Sequence, residues 1–287
     1  MDTDKSGAGG WFRKIRQSLD ASFSDSEREA ISFIILEHFG VDRFAVFADR
    51  AVELRNEEVE PVVRRINAGE PPQYVLGWSM FHGLRFEVDS SVLIPRPETE
   101  MLVDMALGLS VPADAQVWDL ATGSGAVAVA LANARPHWNV SATDISAAAL
   151  EVAARNAARH LASVNLMRHD LLSVKPPFSQ KADLILSNPP YIGLDEKPGM
   201  EARVWAHEPS IALFAPADDV LAFYRSLAQI ASVALRTGGY LMVEINQRFG
   251  EETVAIFRDA GFGEVQLVKD LSGHDRIVIC HSDRVGN

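Results

Sequence analysis

From Ala115 to Cys280 the chain alternates short apolar runs with amphipathic, alanine-rich stretches, and this alternation restricts the fold more than any other feature. Gln116 to Leu120, Val140 to Thr143, Val164 to Met167, Asp183 to Ser187 and Tyr240 to Ile245 read as strands. Helices are expected over Ser124 to Ala134, from a Ser146 cap to His160, and over Val220 to Leu235. A helix near Glu251 to Ala260 and two strands, Val265 to Val268 and Arg276 to Cys280, complete the pattern. Apolar strands separated by helices pair in parallel and are buried on both faces. The expected class is α/β, an open, mostly parallel sheet with helices on both sides. Such sheets bind ligands beyond the carboxyl ends of their strands, where the strand order reverses. The irregular span from Gly193 to Asp219 is longer than a compact domain needs, which points to a substrate-side loop.

The first part of the chain has a different period. Residues 1 to about 10 read as a disordered leader, and Trp11 to Gly69 as helical. Ser24-Asp25-Ser26-Glu27 has the form of a capping box, with Gly40 as a later stop. Asn56 is a start for another helix, although Pro61 within it argues for a later one. Trp78 to Phe81, a His82-Gly83 turn and Leu84 to Val88 read as a hairpin. The expected organisation is a helical domain over residues 1–72, a hairpin linker over 73–97 and a catalytic domain over 98–287.

The fourth strand ends in Asn188-Pro189-Pro190-Tyr191, an unusual way to leave a sheet. The turn offers hydrogen-bond acceptors and an aromatic face, and its prolines carry no N–H. It suits the holding of a planar NH2 group: the Asn188 side-chain oxygen accepts one N–H and the Pro189 carbonyl the other. Pro190 helps stiffen the turn, and Tyr191 lies against the flat amide or base. The plain alternative is a proline-rich turn with a local Asn cap.

The first strand leads into Asp119-Leu120-Ala121-Thr122-Gly123-Ser124-Gly125, and Asp144 closes the second. Glycines at such a turn let a nucleotide approach the backbone, and a carboxylate at Asp144 suits ribose hydroxyls. Gly123-x-Gly125-x-x-Ala128 with Asp144 also fits a nicotinamide-dinucleotide fingerprint, so a dehydrogenase is a competing reading. Three features favour S-adenosylmethionine instead. Asp119 stands where it can hold the cofactor's amino-acid end, Asp170-Leu171 follows the third strand where it can reach the adenine, and the Asn188 turn faces the position of a sulfonium methyl. The stiff Ile94-Pro95-Arg96-Pro97-Glu98-Thr99-Glu100 segment is placed to wall the same pocket.

Composition excludes several classes. The formal net charge of −12, without a long basic run, argues against a protein whose main partner is bare nucleic acid. One cysteine, Cys280, leaves no intrachain disulfide, and the eight histidines lack metal-ligand spacing, so no metal is expected. The absence of a signal peptide and of a membrane-length apolar run points to a cytoplasmic protein. No feature favours an obligate dimer, and a monomer is expected.

Taken together, Asn188-Pro189-Pro190-Tyr191, the Ile94 to Glu100 segment and Asp119 to Gly125 resemble the PrmC/HemK family, the protein-(glutamine-N5) methyltransferases of peptide chain release factors. Gly69 to Gly77, Glu208-Pro209 and Asp270 to Arg276 support the resemblance, which extends over nearly the whole chain. It implies a Rossmann-like class I methyltransferase sheet and S-adenosylmethionine as cofactor. The binding residues would be Asp119, Ala121, Thr122, Gly123, Ser124, Gly125, Asp144, Asp170, Leu171 and Asn188. It implies as substrate the glutamine of a release factor's Gly-Gly-Gln loop, held by the Asn188 turn with Arg96 and Glu98, and a helical domain that helps dock that factor. Adenine-N6 and cytosine-N4 methyltransferases share the Asn-Pro-Pro-Tyr turn but need a flipped base and a basic groove. The chain departs from the family at Ala121, where glycine is usual, and at Ala215 to Asp219, which replaces a glycine-rich segment. The implied reaction is direct displacement: the oriented amide nitrogen attacks the methyl group, and no residue is required as a general base.

Overall fold

The computed structural model describes residues 7–282. These form two compact units: the residues up to Trp78 together with Glu201–His207, and Ser79–Met200 together with those from Glu208 onward.

The first unit is helical. It contains α1 (Ala8–Ser18), α2 (Asp25–His38), α3 (Arg43–Phe47), α4 (Asn56–Asn67) and α5 (Pro72–Leu76). Trp11, Ile15, Ile35, Leu36 and Ile66 bury almost completely in its core. The capping box opens α2 as expected, with Glu27 N donating to Ser24 Oγ and Ser24 N to the Glu27 carboxylate at 2.7 Å. Two expectations are corrected. Helix α1 begins at Ala8, inside the span expected to be a disordered leader; residues 1–6 of that span lie outside the described residues. Gly7 and Gly9 serve close packing here, because a Cβ on either would meet Asp49, whose carboxylate accepts from Gly9 N at 2.8 Å. Helix α4 does start at Asn56 and carries Pro61 internally. Proline costs it one backbone bond, while Glu58 secures the start by accepting from Arg55 N at 3.2 Å.

The second unit opens with a two-stranded hairpin, β1 (Trp78–Phe81, whose first residue groups with the helical unit) and β2 (Leu84–Glu87), followed by α6 (Pro97–Gly108). Then come β3 (Gln116–Leu120), α7 (Ala126–Ala134), β4 (Asn139–Asp144), α8 (Ala147–Arg159), β5 (Val164–Arg168) and β6 (Ala182–Ser187). After the short helices α9 (Ala202–His207) and α10 (Ser210–Leu213), the chain forms α11 (Ala222–Ala234), β7 (Leu235–Glu244), α12 (Gly250–Asp259), β8 (Glu264–Lys269) and β9 (Asp275–His281). The large sheet has the order β5-β4-β3-β6-β7-β9-β8, parallel throughout except for β9, which runs antiparallel to both its neighbours.

One apolar cluster packs α6 and α7 on one face of the sheet, and another packs α11 and α12 on the other. From β3 the chain builds outward to β4 and β5, then crosses back to place β6 on the other side of β3. The reversal of strand order therefore lies between the carboxyl ends of β3 and β6, where Leu120 pairs with Ser187.

Strand β7 begins at Leu235, five residues before the expected Tyr240, because it runs through Gly238-Gly239 with a register shift against β6. The span Gly193 to Asp219 is more ordered than a plain loop. It holds a 3-10 turn (Leu194–Gly199), α9 and α10, and α9 groups with the helical unit. Among the described residues no helix is long and apolar enough to cross a membrane.

Candidate active site

A cavity of about 310 Å³ opens at the strand-order reversal. Its floor is the turn after β3. Asp119 is the last acid on that strand and is 1% exposed. One carboxylate oxygen accepts from the Thr122 hydroxyl at 2.5 Å and from Ala128 N at 3.2 Å. Its other oxygen has no partner among the described residues. Burial pushes the Asp119 carboxyl up to about 6, with Asp144 adding to the rise and the two hydrogen bonds opposing it.

The turn itself is left-handed. Ala121 has φ +64° and Gly123 +57°, so at Ala121 a methyl group occupies a conformation that favours glycine. A side chain at Gly123 would project into open space, so nothing crowds a ligand's approach to the turn there. Gly125, at φ +80°, caps α7, and a Cβ there would stand 3.0 Å from that of Ala153. Asp144 accepts from Gly123 N and Ser146 N, both at 2.9 Å, and burial raises its pKa above the usual carboxylate range. Asp170 accepts from Leu172 N at 2.9 Å and borders the cavity with Leu171.

The opposite wall comes from the segment before α6 and from the turn after β6. Arg96 pairs with the buried Glu208 at 2.5 Å, and Glu208 also accepts from Ile94 N at 3.2 Å. Ser187 anchors the end of β6 by donating its hydroxyl to the Leu120 carbonyl at 2.6 Å. Next to it, Asn188 Nδ2 donates to Thr99 Oγ1 at 3.1 Å, and Thr99 in turn donates to the buried Glu244 at 2.7 Å. Asn188 Oδ1 has no partner among the described residues. Nor does any described backbone N–H donate to the Pro189 carbonyl.

Thus the cavity gathers Asp119, Ala121, Thr122, Gly123, Ser124, Asp144, Asp170, Leu171, Asn188, Pro190 and Arg96. It does not gather Gly125, Pro189, Tyr191 or Glu98. Gly125 shapes the turn from behind, and Glu98 is exposed in the first turn of α6. Tyr191 lines a neighbouring cleft with Glu196, Asn246 and Arg276, and its hydroxyl donates to Glu244 at 3.2 Å. Burial, reinforced by the nearby Glu244 carboxylate, pushes the Tyr191 phenol well above its ordinary value. Sequence reasoning missed Thr99 as a site residue and missed Glu244 altogether. The latter's only sequence signal is an acid closing the apolar run Leu241-Met242-Val243.

These residues fit S-adenosylmethionine. The unpartnered Asp119 oxygen suits an ammonium group, Asp144 closes the second strand where a ribose is expected, and the uncrowded turn at Gly123 admits close approach. Among the described residues no cluster of His, Cys, Asp and Glu could hold a metal ion.

Comparison with known proteins agrees. Residues 98–203 match the family model of the methyltransferase small domain. The release factor glutamine methyltransferase of Bacteroides thetaiotaomicron is 38% identical over 92% of this chain and 96% of its own length. That of Gloeobacter violaceus is 37% identical over 96% and 97% respectively. Among solved structures, a methyltransferase from Pyrococcus furiosus matches 71% of this chain and 91% of its own, with a TM-score of 0.51 and 18% identity, a likeness of fold alone. With relatives this similar over nearly their whole length, the chain belongs to the release factor glutamine methyltransferases, for which S-adenosylmethionine is the methyl donor.

Proposed function

We propose that this protein methylates the side-chain amide nitrogen (N5) of the glutamine in the Gly-Gly-Gln loop of peptide chain release factors. The observation that carries this reading is the Asn188 carboxamide, fixed through its nitrogen and presenting an unengaged oxygen at the cavity wall. S-adenosylmethionine, when bound, supplies an activated methyl group on a charged sulfur. The protein's part is to hold and desolvate the acceptor. Asn188 Oδ1 takes one N–H of the glutamine amide, and the Pro189 carbonyl, which stands between two lining residues and is engaged by no described backbone N–H, takes the other, which leaves the nitrogen's electron density out of plane. Pro190 limits the turn's freedom. Tyr191, with its hydroxyl tied to Glu244, closes the site from the side of the neighbouring cleft. Asp119 holds the ammonium of the cofactor's amino-acid end and Asp144 its ribose, while the Glu208-bound Arg96 supports the wall. The N–C bond forms as the methyl–sulfur bond breaks, and the surplus N–H proton leaves to solvent after the methyl group has moved, so no side chain is required as a base.

The helical unit, in this proposal, helps dock the release factor. Phe44 and Phe47 of α3, 62% and 80% exposed, are its most conspicuous outward apolar residues. The enzyme acts as a monomer in the cytoplasm and needs no nucleic acid.

The test uses labelled S-adenosylmethionine with a release factor and with a variant whose Gly-Gly-Gln glutamine is alanine. Label is expected on the first alone. Asn188→Ala leaves a buried N–H unpaired in the transition state and is expected to slow transfer by about 1–3 kcal/mol, or roughly fivefold to 160-fold, at saturating cofactor. Full transfer by that variant would sink the orientation model.

A further inference from the structure

The oxygen and nitrogen of a carboxamide have nearly the same size, so packing alone does not decide which one faces a cavity. A partner of fixed polarity is needed. Glu244 is such a partner. It closes β7 beside the end of β6, with a relative exposure of 1%. Burial raises its pKa, while the Thr99 hydroxyl, the Arg276 charge and the Tyr191 hydroxyl favour the charged form, and in that form a carboxylate only accepts hydrogen bonds. Tyr191 donates to one of its oxygens at 3.2 Å and Thr99 to the other at 2.7 Å.

Thr99 has one hydroxyl proton. Once Glu244 takes it, Thr99 Oγ1 can only accept, and the group 3.1 Å away on Asn188 is forced to be the NH2. The Asn188 oxygen is then the atom left for the substrate. A flipped Asn188 would set its oxygen against the Thr99 lone pairs and offer a donor to the substrate's own N–H groups, an arrangement that cannot bind them.

We infer that Glu244 is a positioning residue that acts through Thr99 to fix the orientation of the Asn188 carboxamide, so that its oxygen faces the amide to be methylated. The inference rests on the reading of Asn188 as the amide acceptor. It also explains why a carboxylate is kept in the apolar interior beside β6. Removing one end of such a chain releases the polarity of the other end without emptying the cavity.

The experiment is a double-mutant cycle on the full chain, read as single-turnover transfer from labelled S-adenosylmethionine to a release factor. The variants are Thr99→Val, Thr99→Ala, Thr99→Ser, Glu244→Gln and Asn188→Ala, each with cofactor affinity and thermal midpoint measured alongside. Thr99→Val and Thr99→Ala are expected to slow transfer roughly tenfold with KM for the release factor unchanged, and Thr99→Ser to restore most of the rate. Glu244→Gln, whose amide can donate or accept, is expected to fall between them. In the Asn188→Ala background the same Thr99 substitutions should cost less than about twofold, because the group they position is gone. The Thr99→Ala arm keeps the cycle readable if the valine variant folds poorly. A Thr99 penalty undiminished without Asn188, in an Asn188→Ala enzyme that is itself slow, would overturn this inference alone. Full activity in Asn188→Ala would overturn the reading of Asn188 and the inference with it.

Discussion

In the proposed site, Asp119 is the residue that would couple cofactor binding to pH. Burial holds its carboxyl at about 6 in the free protein, and a bound ammonium would bring that value down by favouring the charged form. Binding therefore releases a proton at any pH between the two values. Affinity is complete above about 6 and declines as the pH falls through 6, by up to about tenfold per unit until the bound form also protonates. Calorimetric titration with S-adenosylmethionine at pH 7.5 and pH 5 is expected to show weaker binding at the lower pH. A flat profile would remove Asp119 from the ammonium site. Ala121, two residues on, stays in a left-handed conformation that costs an alanine about 1–2 kcal/mol relative to the right-handed one. The methyl group that the resemblance flagged as unusual is thus a local strain in the cavity wall.

At the scale of elements, the second unit is tied together by Asn156 of α8, which is fully buried. Its side chain accepts from Glu87 N at 2.7 Å and donates to the carbonyls of Glu87 and Ser124 at 3.0 and 2.9 Å. One carboxamide so joins the hairpin, the turn after β3 and α8. Asn156→Ala is expected to destabilise the protein by about 3 kcal/mol or more, since it strands three buried backbone groups. A thermal melt should fall by roughly 5–10 °C. The strands, the Ser146 cap and the glycine turn were all legible in the sequence, because each is governed by near neighbours and by a period of two or 3.6 residues. Asn156 and Glu244 were not. Their partners lie 32 to 145 residues away, and nothing local marks an Asn within an alanine-rich helix as a three-way tie. Glycine misled in both directions: Gly7 and Gly9 permit packing where disorder was expected, and Gly238-Gly239 continue a strand.

Across the whole molecule, the two units divide the proposed work into grip and chemistry. That division predicts a kinetic signature. Phe44→Ala with Phe47→Ala should raise KM for a release factor several-fold and leave transfer to a short Gly-Gly-Gln peptide unchanged; equal effects on both substrates would place α3 outside the docking surface. The chemistry unit also carries its own reporter of integrity. Cys280, the chain's one thiol, sits fully buried on β9 opposite Leu241 of β7, and burial raises its pKa far above the usual thiol range. A thiol so shielded reacts only when the packing of α11 and α12 over this part of the sheet opens, so the rate at which a disulfide reagent consumes it is a clock for that opening. Glu244 lies on the same strand pair, facing Ile277. Slower labelling in the presence of cofactor would therefore read, without any introduced probe, how far ligand binding tightens the strand behind the Asn188 turn.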